Sequence, residues 1–435
     1  MAIFKAEAPE RLCLLHDRPV PRAMLFYGCP TQAFTRGGLF QRRRRVPSQK
    51  LLSRSRLTTR SSHNLAAAMI VALDRHQVSE SSGEFSRRQS NSLIVCLDDE
   101  EILDPDHLVV SAPSTKESPV DDGSSVRPVE EVQADEIKIR GLLGSGTFSD
   151  AFLADRVDSS SRTSSLALKK LHMQMLKNDK AIEVAVNDLT HEVRVLSRIP
   201  NHENIVNLEA ISHGFWEEPK EGFLLLELLV ETLHERMFRW KTSSNFMKEN
   251  RSISFLTRRS QRASLERQEQ RCRIRQAGLG IAKALEFLHE HKIIYRDLKP
   301  KNVGFNKAGQ VKLFDFGLAR IVDVNDPDRR LTGAAGTARY MAPECATSER
   351  YEFPADVYSF AITLWEICTL EKPFAKAKSI DSLHKMTISA KTRPSLRKVA
   401  SKDAKEILKA CWDPEPRARP TIGLVRWQLD QLCSK

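Results

Sequence analysis

The 435-residue sequence carries 68 basic against 56 acidic side chains, a formal charge of +12, and 41% hydrophobic residues. That is enough for a substantial core, in two or three domains or one large domain with tails, and no apolar run approaches the roughly 20 residues of a membrane helix. The eight cysteines contain no Cys-x-x-Cys pair, which argues against a zinc knuckle or a disulfide framework and fits a reducing cytoplasmic or nuclear setting.

Residues 1–134 lack sustained periodicity, are rich in Ser, Arg and Pro, and are expected to be a disordered tail. The tail is basic and then acidic: +10 over residues 1–60 and −10 over 61–135, leaving +12 for 136–435. The run Arg42 to Arg45 reads either as a nuclear-localisation or anion-binding patch or as a solvated face. An Arg-rich, acid-poor start also fits an organelle transit peptide, although Glu7, Glu10 and Asp17 come early and no apolar core precedes them. The acidic run Asp98 to Glu101 is a solvating linker, or folds back on the basic block. Regulatory partners would meet the chain through this tail.

Order is expected from Asp135. Glu136 to Leu143 alternates as a strand does, and Gly144-Ser145-Gly146-Thr147-Phe148-Ser149 follows, with glycines that let backbone amides approach phosphates. Leu166-Ala167-Leu168-Lys169 is a strand ending on a cation, Leu189 to Leu196 a helix, and Phe223 to Leu229 an apolar strand interrupted by Glu227. Residues 239–271 form an unusually long connection, dense in Arg and Ser, before the helical pattern from Ile274 to Leu288. Ile293-Ile294 then leads into a polar loop bearing Asp297, Lys299 and Asn302. The turn Asn306-Lys307-Ala308-Gly309 precedes Val311 to Phe314, which delivers Asp315 before Phe316-Gly317. Two carboxylates and a carboxamide on adjacent loops suit a divalent metal beside a nucleophile to be activated.

Tyr295-Arg296-Asp297-Leu298-Lys299-Pro300-Lys301-Asn302, with Asp315-Phe316-Gly317 thirteen residues beyond Asn302, resembles the catalytic and metal-binding loops of eukaryotic protein kinases. Ala342-Pro343-Glu344, Asp356-Val357-Tyr358-Ser359-Phe360 and Arg417-Ala418-Arg419-Pro420 continue the resemblance, which spans residues 136 to 433. It implies an α+β bilobal fold. A small antiparallel β-sheet lobe with one long helix covers about 135–227, and a larger helical lobe about 230–435.

By that resemblance Asp297 receives or orients the proton of the acceptor hydroxyl, and Lys299 neutralises charge on the phosphoryl group. Asn302 and Asp315 hold Mg2+ or Mn2+, and Lys169, paired with Glu192, fixes ATP. Leu143, Gly144, Ser145, Gly146, Thr147, Phe148, Ser149 and Ala151 would cover the nucleotide, with Ala167 against the base. Leu226 would gate the pocket, and the backbone from Glu227 to Leu229 would bond the adenine. Asp356 would brace the catalytic loop, Glu344 would pair with Arg419, and Leu196, Leu208, Tyr295 and Phe316 would stack as a packed column.

Several positions depart from the family pattern. Ser149 replaces a glycine and stiffens the loop, and Ala151 replaces a valine. Tyr295 stands where His is commoner. Gly304 replaces a bulky aliphatic residue under the adenine, which predicts a thin floor and a gap that Gly304→Leu would fill. Between Gly317 and Ala342 the hydroxyls are Thr332, Thr337 and Tyr340; Thr332 is the expected phosphorylation switch, read by Arg296 with Arg329 or Arg330. Arg87-Arg88-Gln89-Ser90, Arg258-Arg259-Ser260 and Arg262-Ala263-Ser264 resemble basophilic phosphoacceptor sites.

Asp-Leu-Lys-Pro-x-Asn resembles Ser/Thr-specific kinases, and the phrasing around residues 336–366 the tyrosine-kinase-like group. The implied activity is transfer of the ATP γ-phosphoryl group to Ser/Thr hydroxyls of protein substrates in intracellular signalling. The alternatives are a pseudokinase acting as a nucleotide-binding scaffold, then a dual-specificity or Tyr kinase. Nucleic-acid binding through the basic domain lacks interleaved aromatic residues.

Overall fold

The computed structural model describes residues 94–96, 127–146, 148–157, 163–172, 179–249, 258–322, 331, 333 and 335–435. Thr147, Thr332, Arg329, Arg330, Ser90, the run Arg42 to Arg45 and the run Asp98 to Glu101 lie outside the described residues. The first described strand is β1 (Ile94–Cys96).

Regular structure within the domain starts before the expected Asp135. Strand β2 (Glu130–Val132) pairs in parallel with β6 (Leu208–Ser212), and Arg127 N–H donates to the Ser197 carbonyl at 3.1 Å. Val132, only 1% exposed, explains the docking: one apolar side chain of a polar segment enters the small-lobe core. The strands β3 (Ile137–Ser145), β4 (Ser149–Val157), β5 (Thr163–Leu171) and β7 (Phe223–Glu227) complete a sheet in the order β2-β6-β7-β5-β4-β3, antiparallel from β6 onward. Helix α1 (Asp179–Arg198) lays Ala185, Leu189, Val193 and Leu196 against it, at the i, i+4, i+8, i+11 spacing of one helical face.

The chain then crosses into the larger lobe through the short strand β8 (Glu231–Thr232). Helix α2 (Leu233–Glu249) leads into the Arg/Ser-rich stretch, where a second departure appears. The helix expected from Ile274 begins sixteen residues earlier: α3 (Arg258–Arg273) continues through a π-helical turn, Ile274–Gly278, into α4 (Leu279–Glu290). Its C-terminal end is fastened by polar bonds rather than by an apolar stripe. Gln270 Nε2 donates to Lys398 O and its Oε1 accepts from Ala400 N, both at 2.7 Å, while Arg273 donates to the carbonyls of Ile367 and Cys368.

The large-lobe core is built around α6 (Pro354–Thr369), whose residues from Ala355 to Cys368 are all buried; such a helix is enclosed by its neighbours. Helices α3, α4 and α8 (Lys402–Cys411) pack on it, α9 (Ile422–Ser434) packs on α4 and α8, and α5 (Pro343–Ala346) and α7 (Ile380–His384) complete the helices of the lobe. At the lobe junction, β9 (Ile293–Ile294) pairs with β12 (Arg320–Ile321), and β10 (Val303–Phe305) pairs with β11 (Val311–Leu313) and β8. The β10–β11 turn is the expected one. Asn306 Oδ1 accepts from Ala308 N and Gln310 N, and Gly309 sits at φ +79°, where a β-carbon is disfavoured. Strand β13 (Ala335–Thr337) pairs in parallel with β1.

Candidate active site

The hairpin β10–β11 brings its two flanking loops together. Asp297 is fixed on both oxygens: Oδ1 accepts from the Thr337 amide and hydroxyl, each at 2.9 Å, and Oδ2 accepts from Asn302 Nδ2 at 2.9 Å. Lys299 Nζ lies 3.0 Å from Oδ2 and donates to Thr337 Oγ1 at 3.0 Å. The loop carrying Asp297 is held from below by Asp356, which accepts from the amides of Tyr295 (2.8 Å) and Arg296 (2.9 Å) and lies 2.9 Å from His289 Nε2. The brace by Asp356 matches expectation; His289, one turn before the loop on α4, had no local signal.

Opposite Asp297, Asp315 sits at φ +66° at the end of β11. Lys169 Nζ donates to Glu192 Oε2 at 2.6 Å and to Asp315 Oδ1 at 2.8 Å, and Phe316 N–H donates to Glu192 Oε1 at 3.2 Å. Helix α1 is therefore docked inward against the Asp315 loop. Burial alone would lower the Lys169 pKa, but the carboxylates of Asp315, Glu192 and Asp188 outweigh it and hold it above its ordinary value. Burial likewise opposes ionisation of Asp315, and the adjacent Lys169 ammonium prevails, keeping its carboxyl below the usual range.

Asp188 is a member of this site that the sequence reading missed. It lies one helical turn before Glu192, and its carboxylate occupies the space a β-carbon would need at Gly317. Burial and then the Asp315 charge push its pKa up to about 7. Three acid side chains thus surround one ammonium, an excess of negative charge that suits a divalent cation. Asn302 spends its amide nitrogen on Asp297 and so leaves its carboxamide oxygen as a donor to metal.

The strand register places the expected nucleotide-facing residues in two nearby cross-strand rows: Gly144 opposite Ala151 and Ala151 opposite Lys169 in one, and Ala167 opposite Leu226 in the other. The loop between β3 and β4 is pinched, since Gly146 N–H donates to Ser149 O at 2.7 Å; one of the amides expected to face phosphate is already used. At the connection between lobes, Glu227 N–H donates to Asn207 O and Val230 N–H to Phe305 O. Among the described residues the Leu229 peptide group takes no backbone partner, as adenine bonding there requires. The Glu227 side chain turns instead to Lys312 (2.8 Å) and Asn306 Nδ2 (3.1 Å).

The gap expected at Gly304 does not exist. A β-carbon there would stand 2.5 Å from Leu229 Cδ1 and 3.2 Å from Leu229 Cβ, so Leu229 already fills the floor from the opposite side. A glycine at 304 is what makes room for it.

Of the expected column, Leu196, Leu208, Tyr295 and Phe316 are all buried in the main apolar core, and the rings of Tyr295 and Phe316 meet edge to face at 5.2 Å. Tyr295 adds a bond that a packing role did not imply, its hydroxyl donating to the Phe314 carbonyl. Glu344 and Arg419 form the expected buried bidentate pair, at 2.6 and 2.9 Å. Of the switch residues only Arg296 is described. Its Nε is buried without a hydrogen-bond partner among the described residues, and its guanidinium lies 5.7 Å from the Tyr351 ring centre. Tyr351 N–H in turn donates to the carbonyl of Leu331, the residue preceding Thr332. Ser264 is exposed on α3.

The family model described as "Protein kinase domain" matches residues 137–428. The chain is 29% identical over 309 residues to the probable serine/threonine-protein kinase gdt4 of Dictyostelium discoideum, covering 70% of this chain and 16% of that protein. It is 27% identical over 259 residues to a dual serine/threonine and tyrosine protein kinase of Pimephales promelas, covering 57% and 25%. With the serine/threonine-protein kinase STY17 of Arabidopsis thaliana it shares 34% identity over 154 residues, covering 35% and 26%. The matched stretch is thus a minor part of each relative's length. No helix among the described residues is long and apolar enough to cross a membrane.

Proposed function

From the premise that this chain belongs to the protein kinase family, shown by the match over residues 137–428, we propose that it transfers the γ-phosphoryl group of Mg-ATP to Ser/Thr hydroxyls of protein substrates. The observation that carries the proposal is Lys169 lying between Glu192 and Asp315, at 2.6 and 2.8 Å, with helix α1 tied to the loop that bears Asp315. In this reading Lys169 orients the nucleotide phosphates, Glu192 holds Lys169, and Asn302 with Asp315 would ligate Mg2+, which offsets phosphate charge when bound. Asp297 receives the acceptor proton. Its two oxygens are aimed by Thr337 and Asn302, and Lys299, beside it, balances charge on the transferred group. Leu143, Ala151, Ala167, Leu226 and Leu229 would enclose the base.

Selectivity for Ser/Thr rests on Lys299 in the Asp-Leu-Lys-Pro-x-Asn loop, and Thr337 and Tyr340 serve as fixed structural hydroxyls, the latter bonded to Glu366 at 2.8 Å. Thr332 is the proposed switch, supported by the unsatisfied Arg296 Nε and by the bridge from Tyr351 to Leu331. A phosphate there brings about −1.5 to −2 charge and acceptor oxygens for that guanidinium. Incubating the full chain with Mg-ATP and mixed Ser/Thr and Tyr peptides tests the proposal. Label on Ser/Thr peptides is expected, and it should vanish in Asp297→Asn. Label on Tyr peptides alone would reassign specificity, and nucleotide binding without transfer would make the chain a scaffold. For the switch, Thr332→Ala should lower activity and Arg296→Ala add little further loss, since both remove one interaction.

A further inference from the structure

The pairing of β1 with β13 joins a segment far upstream of the domain to the most sensitive edge of the site. Ile94, Val95 and Cys96 run parallel to Ala335, Gly336 and Thr337 in that register. Strand β13 itself lies on the catalytic loop. Thr337 gives its amide and hydroxyl to Asp297, and a β-carbon at Gly336, held at φ +104°, would stand 2.6 Å from Arg296 O and 3.2 Å from Asp297 Oδ1. Paired strands lie about 4.8 Å apart, so the backbone of Ile94–Cys96 runs alongside the residues that aim Asp297. An extended acceptor peptide added to the free edge of β13 would occupy the same place. The segment seated there offers nothing to phosphorylate: Ile94, Val95 and Cys96 carry no hydroxyl, Ser92 lies before the paired stretch, and no Ser, Thr or Tyr follows until Ser111.

We propose that Ile94–Cys96 is a built-in competitor, a hydroxyl-free strand of the chain's own tail that docks on Ala335–Thr337 and excludes acceptor peptides; this rests on the phosphoryl-transfer function proposed above. The Thr337 amide is committed to Asp297 and is not available to the β1–β13 ladder, so amides on the tail side matter to the pairing. Val95→Pro together with Cys96→Pro removes whichever of these two neighbouring amides faces β13, without touching the kinase core. The register also makes a positional prediction. Cys96 is the tail residue opposite Thr337 in the register, so Cys96→Ser puts a hydroxyl-bearing residue at the position paired with the donor to Asp297.

The test compares full-length wild type with the double-proline chain. Two quantities are read: amide hydrogen exchange over residues 335–341, and KM with kcat for a pooled Ser/Thr peptide substrate. Loss of that hydrogen bond should speed exchange at Gly336 and lower KM by about fivefold, with kcat unchanged. In Cys96→Ser, phosphate should appear on residue 96 at a rate independent of protein concentration. Unchanged exchange overturns the docking, and faster exchange with unchanged KM overturns the competition. If exchange differs while neither chain labels any peptide, the strand docking is upheld and it is the proposed phosphoryl transfer that fails.

Discussion

Asp297 and Asp315 flank the same β10–β11 hairpin and are held in contrasting ways. Asp297 is surrounded by donors: one amide, one hydroxyl and one carboxamide, with Lys299 at its edge. Asp315 is surrounded by charge. It shares the Lys169 ammonium with Glu192, and Asp188 adds a third acid group whose pKa is pushed up to about 7 by burial and by Asp315 itself. A carboxylate locked by neutral donors is suited to receiving a proton from one fixed direction. A carboxylate within an excess of negative charge is suited to holding a cation. The two carboxylates are suited to different roles because Thr337 and Asn302 supply hydrogen-bond donors to one, while helix α1 sets acids beside the other.

Removing the ammonium is the largest perturbation available to the acidic side. Lys169→Met leaves Asp188, Glu192 and Asp315 without their shared cation, and phosphoryl transfer is expected to fall by roughly 10²-fold or more. A fall of only a few-fold in kcat would mean that the acidic cluster is not organised by Lys169.

The next effect concerns pH. His191, on the same helix as Asp188 and Glu192, donates Nε2–H to the Ala319 carbonyl, and burial followed by the Arg320 charge lowers its pKa to about 3. In the unfolded chain its pKa is about 6.5. The folded state thus declines a proton that the unfolded state takes. Stability from this group is complete above pH ~6.5 and is lost as pH falls toward 3, by about 2 kcal/mol at pH 5. His191→Gln retains a donor for Ala319, and its denaturation midpoint should be flatter across that window; an equally steep profile would place the effect elsewhere.

On the nucleotide side, Gly304→Leu is expected to press on Leu229 and weaken Mg-ATP binding by about tenfold, within the usual cost of overpacking. A tighter dissociation constant would show that Leu229 can leave the floor. The smallest change is Tyr295→Phe, which strips the Phe314 carbonyl of one donor next to Asp315 at a cost of about 1 kcal/mol of stability. Thermal melts of the two chains measure it.

Much of this site is legible in the sequence because its signals are local. The Asn306–Gly309 turn fixes a hairpin by its own chemistry, and the short spacings from Asp297 to Asn302 and on to Asp315 then place all three together. The pairs Lys169 with Glu192 and Glu344 with Arg419 are readable only through the resemblance to kinases, since each partner is remote in sequence. What escaped was settled by tertiary contact. Glu130–Val132 is too short and polar to announce a strand, and it pairs only because β6 offers an edge and the core has room for Val132. The Arg/Ser-rich residues of α3 show no apolar stripe, and the end of that helix is held by Gln270 and Arg273 reaching carbonyls roughly a hundred residues away. Gly304 was misread because an empty position in one strand can be filled by a side chain from a remote segment, here Leu229 between β7 and β8.

The division of labour between the two carboxylates is tested most directly by measuring Mg-nucleotide affinity and transfer rate side by side in Asp297→Ala and Asp315→Ala. Both variants are expected to lose transfer by roughly 10²-fold or more. Only Asp315→Ala should weaken Mg-nucleotide binding, with Asp297→Ala binding as the wild type does. Equal loss of nucleotide affinity in the two variants would contradict the assignment of one carboxylate to metal and the other to the acceptor proton.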